Sequence, residues 1–209
     1  MRATPLLAAC AILLGASSLW AGTEGLDFGL PLVVVEGGWA RYEAYSTDGP
    51  VPTVIRVGPA GAHQGKTGRW LIVEVEVPDI GRVKVEYLVA GKVFTANSVL
   101  VTRTDIQGVS SADSSETAEA KIGPAPSAAR LTKKGVQTIA GRKLEVSEYA
   151  FTGGRTVRWS AKVPGFGIAG VEGPDRLKLL DFGVGGDPWR FDPPRSPRAA
   201  KPPAAQPVD

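Results

Sequence analysis

Two runs of alternating valines, separated by four residues, constrain this chain more than any other feature. In Trp70 to Val77, the side chains of Leu71, Val73, Val75 and Val77 share one parity and Glu74 and Glu76 the other. In Arg82 to Val89, Val83, Val85, Tyr87 and Val89 alternate with Arg82, Lys84 and Glu86. A period of two fits a half-buried strand and no helix, so the two runs form an antiparallel hairpin with one apolar and one charged face. A two-residue loop at Asp79 and Ile80 would set Val77 against Arg82 and mix the faces. A loop of Asp79, Ile80 and Gly81 pairs Val77 with Val83, Val75 with Val85 and Glu76 with Lys84, and this register is expected.

The same signals extend along the chain. Runs rich in Val, Ile, Thr, Tyr and Trp, punctuated by Gly and Pro, fill Leu30 to Thr104. Later, Arg142 to Thr152 and Arg155 to Val163 flank Gly153 and Gly154. A two-residue loop there sets Val146 against Ala161, Leu144 against Val163, Glu145 against Lys162 and Tyr149 against Arg158. Ile168 to Val171 and Arg176 to Phe182 are two further short strands. Between the halves, residues 108–129 are mostly Ser, Ala, Glu, Gly and Pro. They read as a long loop with two weak helical starts, one at Asp113 with Glu116, the other running from Ser127 to Gly135. Each half alone is too small to be stable without disulfides, so residues 22–187 form a single β-rich domain. Residues 188–209 contain seven Pro and read as a disordered basic tail.

The first 21 residues resemble a secretory leader: Arg2 is the only charge before Glu24, and Pro5 to Trp20 is apolar or small. Leu7, Ala8, Ala9 and Cys10 match a bacterial lipobox. The apolar run continues to Leu14 beyond Cys10, however, whereas a lipoprotein signal places its Cys after that run, so cleavage after Ala21 is expected. Such a cut removes Met1 and Cys10 and leaves a chain without sulfur, which rules out a disulfide scaffold. Without Arg2 the balance is 23 basic against 21 acidic residues, net +2, and Trp189 to Asp209 alone carry +2. A near-neutral body offers no basic groove for nucleic acid. One His and one Cys cannot build the usual zinc sites.

Several strings invite chemical readings. Ala60 to Thr67 satisfies the relaxed expression for a phosphate-binding loop, but a strand instead of a helix follows Lys66, so no nucleotide site is expected. Gly58, Gly61, Gly65 and Gly68 there read as turn residues. His63, the single His, sits in the same loop with no serine elbow elsewhere in the chain to serve. Glu145 and Glu148 fall on opposite faces of one strand, and Glu74 and Glu76 have Lys84 and Arg82 across from them. No catalytic constellation emerges. Trp39, Trp70, Tyr87, Tyr149 and Trp159 are strand aromatics, which either pack a core or line the concave face of a curled sheet. Val73, Val75, Val85, Tyr87 and Trp159 are the ligand-lining candidates.

The late string Gly135 to Gly141 with Lys143, then Arg158, Trp159, Ser160, the Val163, Pro164, Gly165 turn, Gly167 and Leu179 to Gly183, together with Gly38 to Tyr42, Ile55 to Gly58, Gly68 to Val77 and Ser98 to Gln107, resembles exported bacterial proteins related to the lipoprotein-carrier half-barrels of the LolA/LolB type. The resemblance spans most of residues 30 to 186 and implies a curved antiparallel sheet able to hold acyl chains. The chain departs from true carriers in lacking long helices to plug the barrel. The fold expected is all-β or β-rich: a curved antiparallel sheet or incomplete barrel of about eight to ten strands with one or two short helices. The function expected is a non-catalytic binding or carrier module of the bacterial periplasm or exterior. Its partner is a lipid or other apolar ligand, with no cofactor, nucleotide or nucleic acid. The alternative is a structural or protein-interaction component of the envelope, working through a sheet edge or the tail.

Overall fold

The computed structural model describes residues 28–46, 49–78, 80–114, 129–174 and 176–190. Among them eleven strands follow in chain order: β1 Gly38–Ser46, β2 Gly49–His63, β3 Lys66–Val77, β4 Gly81–Val89, β5 Val99–Ile106, β6 Val109–Ser114, β7 Arg130–Ile139, β8 Arg142–Ala150, β9 Thr156–Trp159, β10 Ile168–Glu172 and β11 Leu177–Val184. They form one antiparallel sheet in the order β6-β5-β4-β3-β2-β1-β11-β10-β9-β8-β7. The chain meanders from β1 out to one edge, re-enters at the opposite edge with β7, and meanders back until β11 pairs with β1. The sheet is curved and not closed into a barrel, the all-β architecture the alternation called for.

Curvature brings the two wings together. Phe94, in the connection from β4 to β5, meets Phe166, in the connection from β9 to β10, edge to face with centroids 5.0 Å apart, and Tyr87 stacks on Phe94 in the same manner at 5.3 Å. A single buried cluster runs from Val85 and Tyr87 of β4 through Leu71 and Val73 of β3, Ile55 and Val57 of β2, and Tyr42 of β1 to Leu179, Ile168, Val157 and Leu144 on the other wing. Burying each such side chain contributes about 1.5–3 kcal/mol, the source of stability open to a chain that holds no disulfide.

The first hairpin keeps its expected faces in a different register. Val77 pairs with Gly81, Val75 with Val83, Val73 with Val85, Glu74 with Lys84 and Glu76 with Arg82. Gly81 has the left-handed φ assigned to it, +82°, but it is already paired, because the chain reverses at Pro78. The shift is two residues, so every side chain keeps its face. The second hairpin differs by one residue. Tyr149 pairs with Val157, Glu148 with Arg158 and Ser147 with Trp159. Gly153 and Gly154 are both left-handed, yet Thr152–Gly154 is a 3-10 turn inside a five-residue connection closed by Phe151 N–H donating to Arg155 O at 2.9 Å. Phe151 needs that wider loop because its ring is buried against Phe28, 5.5 Å away.

The region read as loop and weak helices is partly strand. Asp113 lies in β6, and Arg130 to Gly135 lie in β7, where pairing with β8 supplies the backbone partners a marginal helix would lack. The leader, residues 115–128 of the loop and residues 191–209 of the tail lie outside the described residues. The tail boundary itself moves, since Pro188 is buried and Trp189 is docked on the sheet.

Candidate functional site

Four of the five lining candidates come from β3 and β4, and all five meet on the inner face. Val73, Val85 and Tyr87 are 1%, 4% and 6% exposed, and Val75 and Trp159 pack against the same cluster. Their surroundings make this face a filled core. Burial pushes the hydroxyls of Tyr87 and Tyr42 well above the usual phenol range, and Tyr42 Oη donates to Ile168 O at 2.9 Å.

The filling comes from outside the sheet. Residues 28–35 precede β1 as an irregular segment, and Phe28, Leu30 and Leu32 pack on the inner cluster at every second position. Leu32 N–H donates to Lys92 O at 2.7 Å, and Val33 exchanges bonds of 2.8 and 3.0 Å with Gly165. Pro31 bridges Val93. The segment therefore crosses the concavity from the β4–β5 connection to the β9–β10 connection. Trp159 holds it from below, its Nε1–H donating to Pro31 O at 2.9 Å. The gap left between Phe28, Leu30, Phe94 and Phe166 is too small for water.

Sequence reasoning passed over Phe28, Phe94, Phe166 and Tyr42. Phe28, Leu30 and Leu32 carried a findable signal, a period-two alternation ahead of the first strand. Phe94 and Phe166 lie in irregular connections where no period exists to read. Of the other strand aromatics, Tyr149 packs on the inner cluster. Trp70 is on the outer face with Leu88 and Val101, and Trp39 also points outward, its Nε1–H donating to Gly185 O at 2.6 Å.

The outer face is a charged lattice under a clasp. Arg56 and Glu74 pair at 2.9 Å, and Trp189 Nε1–H donates to the same carboxylate at 2.9 Å. The Arg82 guanidinium lies 4.2 Å from the centroid of the Trp189 ring while pairing with Glu76. Glu74 is thus neutralised by Arg56, not by Lys84, which pairs with Glu86. Beside the clasp, Arg41, Glu43, Pro50, Pro52 and Leu180 wall an open groove of about 350 Å³ with Trp189.

The phosphate-loop string is the β2–β3 hairpin. Gln64 and Gly65 form its two-residue turn, both with positive φ, and His63 pairs with Lys66. Only Gly65 serves a turn. Gly58, Gly61 and Gly68 lie in the strands, where a Cβ on Gly61 would come within 2.7 Å of Trp70 Nε1 and one on Gly68 within 2.7 Å of Val89 O. Glu148 faces Arg158 across the β8–β9 ladder.

These features define a class: an all-β protein on one open, curved antiparallel sheet whose inner face is covered by its own N-terminal segment. The chain matches no known protein family and no curated protein.

Proposed function

We propose that this protein is a non-catalytic extracytoplasmic binding or carrier module whose curved sheet takes an apolar or lipidic ligand on the face that carries Val73, Val75, Val85, Tyr87 and Trp159. One observation carries the reading. The sheet stays open, and what fills its concavity is a short peptide segment attached through a few backbone bonds. Among the described residues the helical contribution to that filling is Ala96, from the three-residue 3-10 turn Ala96–Ser98. A concave, apolar, aromatic-rich surface is what a hydrocarbon ligand requires. The leader expected over residues 1–21 and the expected resemblance to lipoprotein-carrier half-barrels, both read from sequence alone, point the same way. Native mass spectrometry of protein purified from its own host tests it. Co-purifying lipid in a stoichiometric adduct is the expected result. Protein that stays empty and carries a stoichiometric protein partner would overturn it.

That second outcome corresponds to a structural or interaction role in the envelope, which one observation favours. β7 is an edge strand exposed along most of its length, with Leu131 and Val136 at 45% and 66% exposure. Such an edge can accept a strand from another protein.

A further inference from the structure

We infer that residues 28–33 form a displaceable strap, and that the space held by Phe28 and Leu30 is the seat of a single-chain anionic amphiphile such as a fatty acid. The inference rests on the carrier reading and adds the place, the ligand class and the means of entry.

The geometry supports displacement at three points. The strap belongs to no sheet ladder: it touches the two wings through isolated bridges, Pro31 with Val93 and Val33 with Gly165. Two glycines with left-handed φ flank its length, Gly29 at +58° just inside its start and Gly37 at +70° four residues past its end. Past the strap, Val34 and Val35 are 44% and 40% exposed, so the link from it to β1 is not held by burial. A strap joined by few contacts opens more readily than the sheet beneath it.

The ligand class follows from what the strap covers. Phe28 and Leu30 are apolar, and Phe94, Phe151 and Phe166 surround them. Vacating two side chains in line leaves a narrow apolar slot, suited to one hydrocarbon chain and too slim for a fused-ring or multi-chain lipid. At the Phe28 end the Arg155 guanidinium lies 5.9 Å from the ring centroid. A carboxylate heading a chain in that slot would meet a guanidinium that already has contacts of its own, and would join or displace them.

A reversible lock tests this. In the full chain with Cys10→Ser, the pair Pro31→Cys and Val93→Cys introduces the only thiols. Bridged antiparallel residues stand about 4.5–5.5 Å apart at Cα, within the range a disulfide spans. Binding of cis-parinaric acid is followed by fluorescence for the reduced and the oxidised protein, with mass confirming the bond. Locking the strap lowers the binding-competent fraction, so the oxidised form should bind at least about tenfold more weakly, and reductant should restore affinity. The acid should bind more tightly than its methyl ester, and Arg155→Gln should remove that preference. Equal affinity in both redox forms would overturn the strap while leaving the carrier reading intact. A ligand preference unchanged by Arg155→Gln would overturn the assigned head-group position. The double variant Phe28→Ala, Leu30→Ala opens the seat without a lock. If it and the reduced protein stay folded by circular dichroism and neither binds the probe, the carrier reading falls and the strap inference with it.

Discussion

Gly167→Ala should be among the most damaging single-methyl additions in this protein, and its cost can be worked out in parts. Gly167 has φ +71°, and a Cβ there would lie within 3 Å of Nε1, Cδ1 and Cε2 of Trp159. The left-handed backbone alone costs an alanine about 1–2 kcal/mol. The indole must also move, which breaks its bond to Pro31 O, worth about 1 kcal/mol, and forces repacking worth about 1–3 kcal/mol. The expected loss is therefore about 3–6 kcal/mol. Gly186 supplies the control, with φ +74° and no atom within 4 Å of the added Cβ, so Gly186→Ala should cost the backbone strain of about 1–2 kcal/mol only. Urea unfolding followed by far-ultraviolet circular dichroism measures both, provided the slope m is unchanged. In a Trp159→Ala background the two alanine substitutions should become equal, since the atom that Gly167 makes room for is gone. Equal losses in the wild-type background would refute the seating of Trp159 and the anchoring of the strap through it.

Alkaline pH should destabilise the fold through Tyr42 and Tyr87. Burial raises both phenols above their ordinary 10.0, so their contribution is complete below about pH 10 and is lost as pH rises past it. Tyr42→Phe should flatten part of that slope in urea midpoints collected from pH 8 to about 11, at a cost of about 1 kcal/mol for the lost bond to Ile168 O. An unchanged slope would count against the burial of this ring. Trp189→Ala should cost about 2–4 kcal/mol, from a hydrogen bond to a carboxylate and a stacked guanidinium. A loss under about 0.5 kcal/mol, the size of an ordinary surface change, would mean the clasp is not formed in solution. Lys66→Ala, at an exposed hairpin turn, should leave stability within about 0.5 kcal/mol. Titration calorimetry with magnesium and ATP should show no binding, and a micromolar affinity lost in this variant would restore the nucleotide reading.

Where backbone period and burial coincide, the sequence was legible. The valines of β3 and β4 announced their shared face because a half-buried strand must alternate, and a register error of two residues could not disturb that face. The hairpin at Gly153 was misread by one residue because two adjacent glycines satisfy a tight turn and a wider loop equally well. What decided between them was the burial of Phe151 against Phe28, a contact between residues 123 positions apart. Arg130 to Ile139 carried no strand pattern because β7 is exposed on nearly every residue, so no buried face selected for alternation. Of the candidate site, the five lining residues were readable from strand parity. The residues that close the slot, Phe94 and Phe166, depend on how far the wings curl.

That curling explains how the described residues cover the sheet with no helix longer than three residues among them. An open sheet has two faces to protect, and here segments adjoining the two central strands do it. The strap runs into β1 and covers the inner face, reaching the β4–β5 connection through Leu32 and Lys92. The segment after β11 crosses the outer face and sets Trp189 on Glu74 of β3 and Arg82 of β4. Because β1 and β11 pair with each other, both covers start from the middle of the sheet; the outer one fastens onto β3 and β4, and the inner one spans both wings. The outer cover is held by an ion-paired carboxylate and a stacked guanidinium, whereas the inner one is held by the buried Phe28 and Leu30, two isolated bridges and the bond from Trp159 to Pro31 O. If the strap is displaced as proposed, Trp189 still pins the wing from behind, and the sheet keeps its curvature while the inner face opens.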